Sequence, residues 1–226
     1  RKCEWDSMTE GLGQRWLIEE TSFKVYPACR FATPALDLFY ELQTRSGAAV
    51  DDIAGIDVQV PHAMIAKHMD DRNVQTVVDG QFSVPHVLGL AACMGPAGPQ
   101  WHTGDAIDNE EVRDFAERVT VRVYPEAAPI MEELIREQGH CELIPTAMTL
   151  TTKSGESFFA QTDHASGDPW EKDAVIADEI LRDKFHLFCE SSLSPTQIED
   201  AIACVASLES QAGVSRLVDA LVADKQ

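Results

Sequence analysis

The run Val84 to Met94 is apolar on nearly every side, with His86 its lone polar side chain. A helix built from it has no solvated face, so other elements must enclose it. Ser83 and Pro85 supply its start and Gly95 its stop. The chain therefore has to wrap a central helix, and 226 residues with 44% hydrophobic content are enough to do so.

The flanking patterns supply the wrapping. Thr33 as a cap and Pro34 in the first turn open a helix with Ala35, Leu38, Phe39 and Leu42 on one face, closed by Gly47. Ile56, Val58 and Val60 alternate with Asp57 and Gln59, which marks a half-buried strand stopped by Pro61. Residues 62–80 read as irregular and polar. After the Gly- and Pro-rich stretch 95–104, Asp108 with Glu111 makes a capping-box-like start for a helix carrying Val112 and Phe115. Val119, Val121 and Val123 alternate as a second strand. Met148 and Leu150, then Phe158 and Ala160, flank Lys153-Ser154-Gly155 as a hairpin. Strand signals stop beyond residue 163. Leu181, Phe185 and Phe188 share a helical face, and Ser194-Pro195-Thr196-Gln197 is a capping box ahead of Ile198, Ala201, Ile202, Val205 and Leu208. A last helix is expected from about Val214 to Val222. The fold class is α+β, with a unit over 23–165 and a helical tail whose apolar faces need a partner.

Acidic residues outnumber basic ones 38 to 18, for a net charge of -20. Nucleic acid and anionic membrane are excluded as main partners, because most of the surface repels both. The same acidity fits adaptation to high salt or ordinary solubility. Six scattered cysteines show no zinc or redox spacing, and no signal peptide is visible, so the expectation is a reducing cytoplasm. His62, His68, Asp70 and Asp71 match no dedicated metal motif, and no metal is expected. The chain begins at Arg1 and reads as a fragment or a processed subunit.

Against that charge, Phe23-Lys24-Val25-Tyr26-Pro27-Ala28-Cys29-Arg30-Phe31 places two cations in an aromatic, proline-stiffened stretch. Cations are costly to desolvate, so flanking them with Phe23, Tyr26 and Phe31 points to a lined cleft for an anion. A snorkelling Lys and a surface Arg beside a helix start would give the same spacing.

Taken in order, this segment, the Ile56 to Pro61 strand, Asp79-Gly80-Gln81-Phe82-Ser83-Val84-Pro85-His86, Val119 to Pro125, Ser154-Gly155, Gly167-Asp168-Pro169 and Lys184-Phe185 resemble the C-terminal part of the MmgE/PrpD family. That family includes 2-methylcitrate dehydratases, cis-aconitate decarboxylases and an iminodisuccinate epimerase. The resemblance implies a small α/β lid domain over 23–165, with 1–22 the trailing segment of an all-helical domain. Residues 166–226 would return to that domain as C-terminal helices, and the domain itself is absent from this chain. It also implies a homo- or hetero-oligomer with a chain carrying the helical domain.

By resemblance, Lys24 is a catalytic residue between the domains, neutralising a substrate carboxylate as negative charge develops. Arg30 would hold a second carboxylate in bidentate geometry. Tyr26, Cys29, Gln81 and Ser83 would line the substrate site, Gln81 and Ser83 as donors at a helix N-terminus. Cys29 as packing and Ser83 as a cap are the structural alternatives. His86 stands where the family commonly has Tyr or Phe, either as an acid/base group or as a helix-start histidine. Thr33 stands where the family often has His. The implied activity is a cofactor-free lyase or isomerase for a small di- or tricarboxylate, with 2-methylcitrate dehydration first. Decarboxylation of cis-aconitate, epimerisation of iminodisuccinate, or a non-catalytic lid or regulatory subunit are the alternatives.

Overall fold

The computed structural model describes residues 5–138, 141–170 and 176–223. Residues 1–4 of the expected trailing segment, and 171–175 and 224–226 of the expected C-terminal helices, lie outside them.

The alternating segments build a four-stranded mixed sheet from β1 (Ile53–Val60), β2 (Val119–Val123), β3 (Thr146–Thr152) and β4 (Ser157–Thr162), in the order β2-β1-β3-β4. β1 runs parallel to β2, with Ile56 opposite Val119, and antiparallel to β3, with Val58 opposite Met148. β3 and β4 form the expected hairpin, Leu150 opposite Phe158 and Met148 opposite Ala160. Period-two geometry sends Ile56, Val58, Val60, Met148 and Leu150 to one face, where all are buried. The other face carries Asp57, Gln59, Thr149 and Arg122 together with Ala147 and the exposed Phe159. Asp57 there pairs with Arg122 at 2.8 Å.

The helices are α1 (Thr33–Ser46), α2 (His62–Ile65), α3 (Val77–Gly80), α4 (Val84–Cys93), α5 (Gly104–Asp108), α6 (Glu110–Glu117), α7 (Ala127–Gln138), α8 (Asp178–Cys189), α9 (Pro195–Ala206) and α10 (Ser215–Ala220). α1 lies over β3 and β4, α4 packs against α1 and β2, and α6 covers α4. Every residue from Val84 to Ala91 is buried, as an all-round apolar helix demands. A methyl group on Gly89 would sit 2.6 Å from the Val112 carbonyl oxygen, so the bare α-carbon sets the spacing between α4 and α6. Phe39 of α1 meets Phe115 of α6 edge-on at 5.9 Å.

The α+β class is as expected, and several local details differ. Thr33 does not cap α1; it is the first helical residue, and its N–H already bonds the Arg30 carbonyl in a 3-10 turn, Arg30–Ala32. Asn109, not Asp108, caps α6, accepting from the Glu111 and Val112 N–H groups at 2.9 and 3.2 Å, because Asp108 is taken up in α5. Residues 62–80 contain two single-turn helices, the second held by a capping box between Thr76 and Asp79. α7 has no counterpart in the sequence reading, and β2, at the sheet edge, buries Val119 but leaves Val123 exposed.

α8, α9 and α10 pack on one another. α9 buries Ile198, Ala201 and Cys204, α8 buries nothing fully, and a cleft of about 370 Å³ lined by Leu181, Phe185, Ile202 and Leu217 opens between the helices. No described helix is long and apolar enough to cross a membrane.

Candidate functional site

Segment 23–31 is fixed at both ends by its backbone. The Phe23 N–H donates to the Gly167 carbonyl at 2.9 Å, and the Cys29 N–H donates to the Gln81 carbonyl at 2.8 Å. Gly167 has φ +91°, and a methyl group there would lie 2.2 Å from the Phe23 carbonyl oxygen, so both the dihedral and the close approach require glycine. The second contact joins the segment to the turn that opens α4. Tyr26, Pro27 and Cys29 are half-buried as a result.

Arg30 is not free to grip a substrate. Its Nε donates to Asp168 Oδ1 at 2.8 Å and its Nη2 to Asp168 Oδ2 at 2.6 Å, the bidentate geometry expected for a ligand carboxylate. Asp168 has a fully buried side chain and also accepts from Ser22 Oγ at 2.8 Å and the Ala165 N–H at 3.2 Å. A buried carboxylate needs a charged partner and satisfied oxygens, and Arg30 supplies both. Trp170 stacks on the guanidinium, 5.2 Å from ring centre to Cζ. Nη1 donates to the Cys141 carbonyl at 3.4 Å. Burial pushes the Cys141 thiol pKa up, and Arg30 partly offsets it. A cleft of about 480 Å³ runs past Arg30, Phe31 and Trp170.

Tyr26 is likewise held. Its hydroxyl donates to Asp37 Oδ1 at 2.8 Å, while Asp37 Oδ2 accepts from the Ser166 N–H at 3.0 Å. Burial, followed by the Asp37 charge, pushes the Tyr26 pKa far up; burial raises that of Asp37 as well. The phenol is thus a fixed donor within the fold.

Ser83 caps α4 by accepting from the His86 N–H at 3.2 Å, and its hydroxyl donates to the Asp71 carbonyl at 2.5 Å. Both bonds are internal. The Gln81 backbone serves Cys29, and its side chain is half-buried. His86 is 3% exposed, and a methyl group on Gly80 would lie 3.0 Å from its ring. Burial, then the charges of Arg113 and His102, lowers its pKa to about 4, so it is neutral at pH 7. No hydrogen bond or ion pair joins it to Lys24.

Lys24 remains available. It is exposed and has no ion pair among the described residues. Its backbone carbonyl accepts a hydrogen bond from Lys184 Nζ, which reaches over from α8. Burial, then the charge of Lys24, lowers the Lys184 pKa. Lys184 Nζ also lies 5.7 Å from the Phe188 ring centre. Among the described residues no cluster of His, Cys, Asp or Glu can hold a metal ion. The arrangement offers positive charge at Lys24 and a rigid frame behind it. Asp168, Asp37 and Lys184 carry that frame and were not singled out as site residues in the sequence; their only signals there are Gly167-Asp168-Pro169 and Lys184-Phe185.

The family model described as MmgE/PrpD C-terminal domain matches residues 26–210. That range contains every residue of this site except Ser22, Phe23 and Lys24, which lie just ahead of it. No curated protein matches the sequence.

Proposed function

The chain belongs to the MmgE/PrpD family, and on that premise we propose that it is the lid-bearing part or subunit of a cofactor-free lyase or isomerase acting on a small di- or tricarboxylate. The family is generally enzymatic and lyase-like. Dehydration of 2-methylcitrate is the leading reaction; decarboxylation of cis-aconitate and epimerisation of iminodisuccinate share its central demand. In each, a carbon next to a carboxylate gains negative charge that a fixed cation can stabilise more in the transition state than in the ground state.

One observation carries this reading. Lys24 presents an ammonium with no carboxylate partner among the described residues, in a chain of net charge -20. Its backbone is held by neighbours on both sides, so the charge sits at the end of a fixed frame. Arg30, Tyr26 and Ser83 shape that frame, and Lys24 touches substrate.

The rest of the site belongs to a helical domain on a partner chain or elsewhere in the protein. Trp16, Leu17 and Ile18 are 65%, 66% and 79% exposed, and the cleft among α8, α9 and α10 is apolar. Both features support packing against such a domain. A reducing cytoplasm is the proposed compartment, supported by the five described cysteines, all free thiols.

A second reading, a non-catalytic lid or regulatory subunit, is favoured by one fact. Arg30 is paired internally and His86 is neutral and enclosed, so neither is presented beside Lys24 as an acid/base group. Lys24→Ala, assayed with the helical domain present on 2-methylcitrate, decides between the two. The expected result is a loss of about 100-fold or more in kcat/KM. Unchanged turnover would refute the catalytic reading and leave the regulatory one.

A further inference from the structure

We infer that Lys24 and Lys184 together form a two-ammonium seat for neighbouring carboxylates of one substrate molecule, with Lys184 determining specificity for polycarboxylates. The inference rests on the carboxylate reading above and supplies the second cation that reading needs. A di- or tricarboxylate brings at least two negative charges, and one lysine matches only one of them. Arg30 is already committed, because Asp168 takes its Nε and Nη2 edge from within the fold.

Lys184 is the cation that meets Lys24. It stands on α8, about 160 positions further along the chain, and donates to the Lys24 carbonyl. That bond uses one of its three N–H groups and leaves two to donate elsewhere. Because the acceptor is main chain, the Lys184 head stays with segment 23–31. The Phe188 ring beneath it limits where the stem can turn. Exposed Phe23 stands next to Lys24 in the chain.

Neither ammonium has a carboxylate within ion-pair distance among the described residues. Lys67 and Lys153 are likewise without an ion pair among the described residues, so what sets Lys24 and Lys184 apart is that the Lys184 ammonium is seated on the Lys24 main chain. Seating the Lys184 ammonium on the Lys24 main chain brings two like charges to one segment, and an anion bound there lessens their repulsion. Burial, and after it the charge of Lys24, lowers the proton affinity of Lys184. A carboxylate pair spanning the two ammoniums accepts from both, with no covalent step.

Calorimetric titration of tricarballylate, a non-reacting tricarboxylate, with the helical domain present, into the full chain and into Lys184→Met, Lys184→Arg and Lys24→Met tests the seat. Met keeps the aliphatic stem on Phe188 and removes the charge; Arg keeps the charge. Lys184→Met and Lys24→Met are each expected to weaken binding by about 10- to 100-fold, and Lys184→Arg by less than about fivefold. At alkaline pH the wild type is expected to take up protons on binding, seen as an enthalpy that varies with the buffer, and Lys184→Met is expected to lose that uptake. A role confined to bracing the Lys24 carbonyl would not move it. Wild-type affinity in Lys184→Met, with binding lost in Lys24→Met, would overturn the inference while leaving the Lys24 reading intact. A wild-type chain that binds no tricarballylate would overturn both.

Discussion

Replacing Arg30 with Met should destabilise the protein before it affects any ligand. The Asp168 carboxylate accepts four hydrogen bonds, two from Arg30, one from Ser22 and one from the Ala165 N–H. Removing the guanidinium leaves a side chain of zero exposure with a full charge and only the two weaker donors. Breaking a buried pair from one side typically costs about 3–5 kcal/mol, mostly as the penalty of the stranded charge. With a urea slope of about 2 kcal/mol/M, the unfolding midpoint falls by roughly 1.5–2.5 M. Asp168→Asn keeps the shape and should cost less, about 2–3 kcal/mol. Arg30→Met combined with Asp168→Leu removes both charges and should recover about 2 kcal/mol or more of the single loss, a coupling that only a direct pair produces. Urea titration followed by far-ultraviolet circular dichroism reads all four proteins. An Arg30→Met unfolding free energy within about 0.5 kcal/mol of wild type would refute the reasoning. If that variant also lost carboxylate affinity, Arg30 would return to the substrate.

Two further outcomes follow from buried contacts. Unfolded His86 titrates near its ordinary value of 6.5 and folded His86 near 4, so the unfolded state binds the extra proton between them. Stability should therefore fall as pH drops from about 6.5 through about 4, with a contribution of between about 1 and 3 kcal/mol. His86→Phe should remove that component, and urea midpoints that track wild type at both ends of the range would count against it. Gly89→Ala gains about 1 kcal/mol of helix propensity but drives a methyl group to 2.6 Å from the Val112 carbonyl oxygen. A net loss of about 1–3 kcal/mol is expected by thermal melting, and a raised midpoint would show that α4 and α6 separate easily.

What could be read in the sequence is what repeats over short distances. The all-round apolar pattern of α4, the alternation of β1 and the Lys153-Ser154-Gly155 hairpin are each set by a handful of neighbouring residues, and each is in the structure. α7 escaped because Pro129 and paired glutamates interrupt its pattern; Ala127 and Met131 of this helix are buried, while Glu132, Glu133, Arg136 and Glu137 are exposed. The caps at Thr33 and Asp108 were displaced by one residue because a preceding 3-10 turn or short helix had already used the expected position. The site was legible as a segment but not as a set of roles. Lys24 and Arg30 look alike in sequence, and what separates them is Asp168, 138 residues away from Arg30. No local pattern reports a partner at that distance. Ser83, in contrast, carried its capping role in plain view ahead of Pro85.

The contacts of residues 22–24 with 167, 168 and 184 bring the two ends of the α/β layer to one doorway. The chain therefore enters and leaves its sheet-bearing part at neighbouring points. Closing a loop of 146 residues between Ser22 and Asp168 carries roughly 4 kcal/mol of chain entropy. The Asp168 contacts and the Phe23–Gly167 bond offset that cost, and Lys24 directly follows Phe23 in the chain.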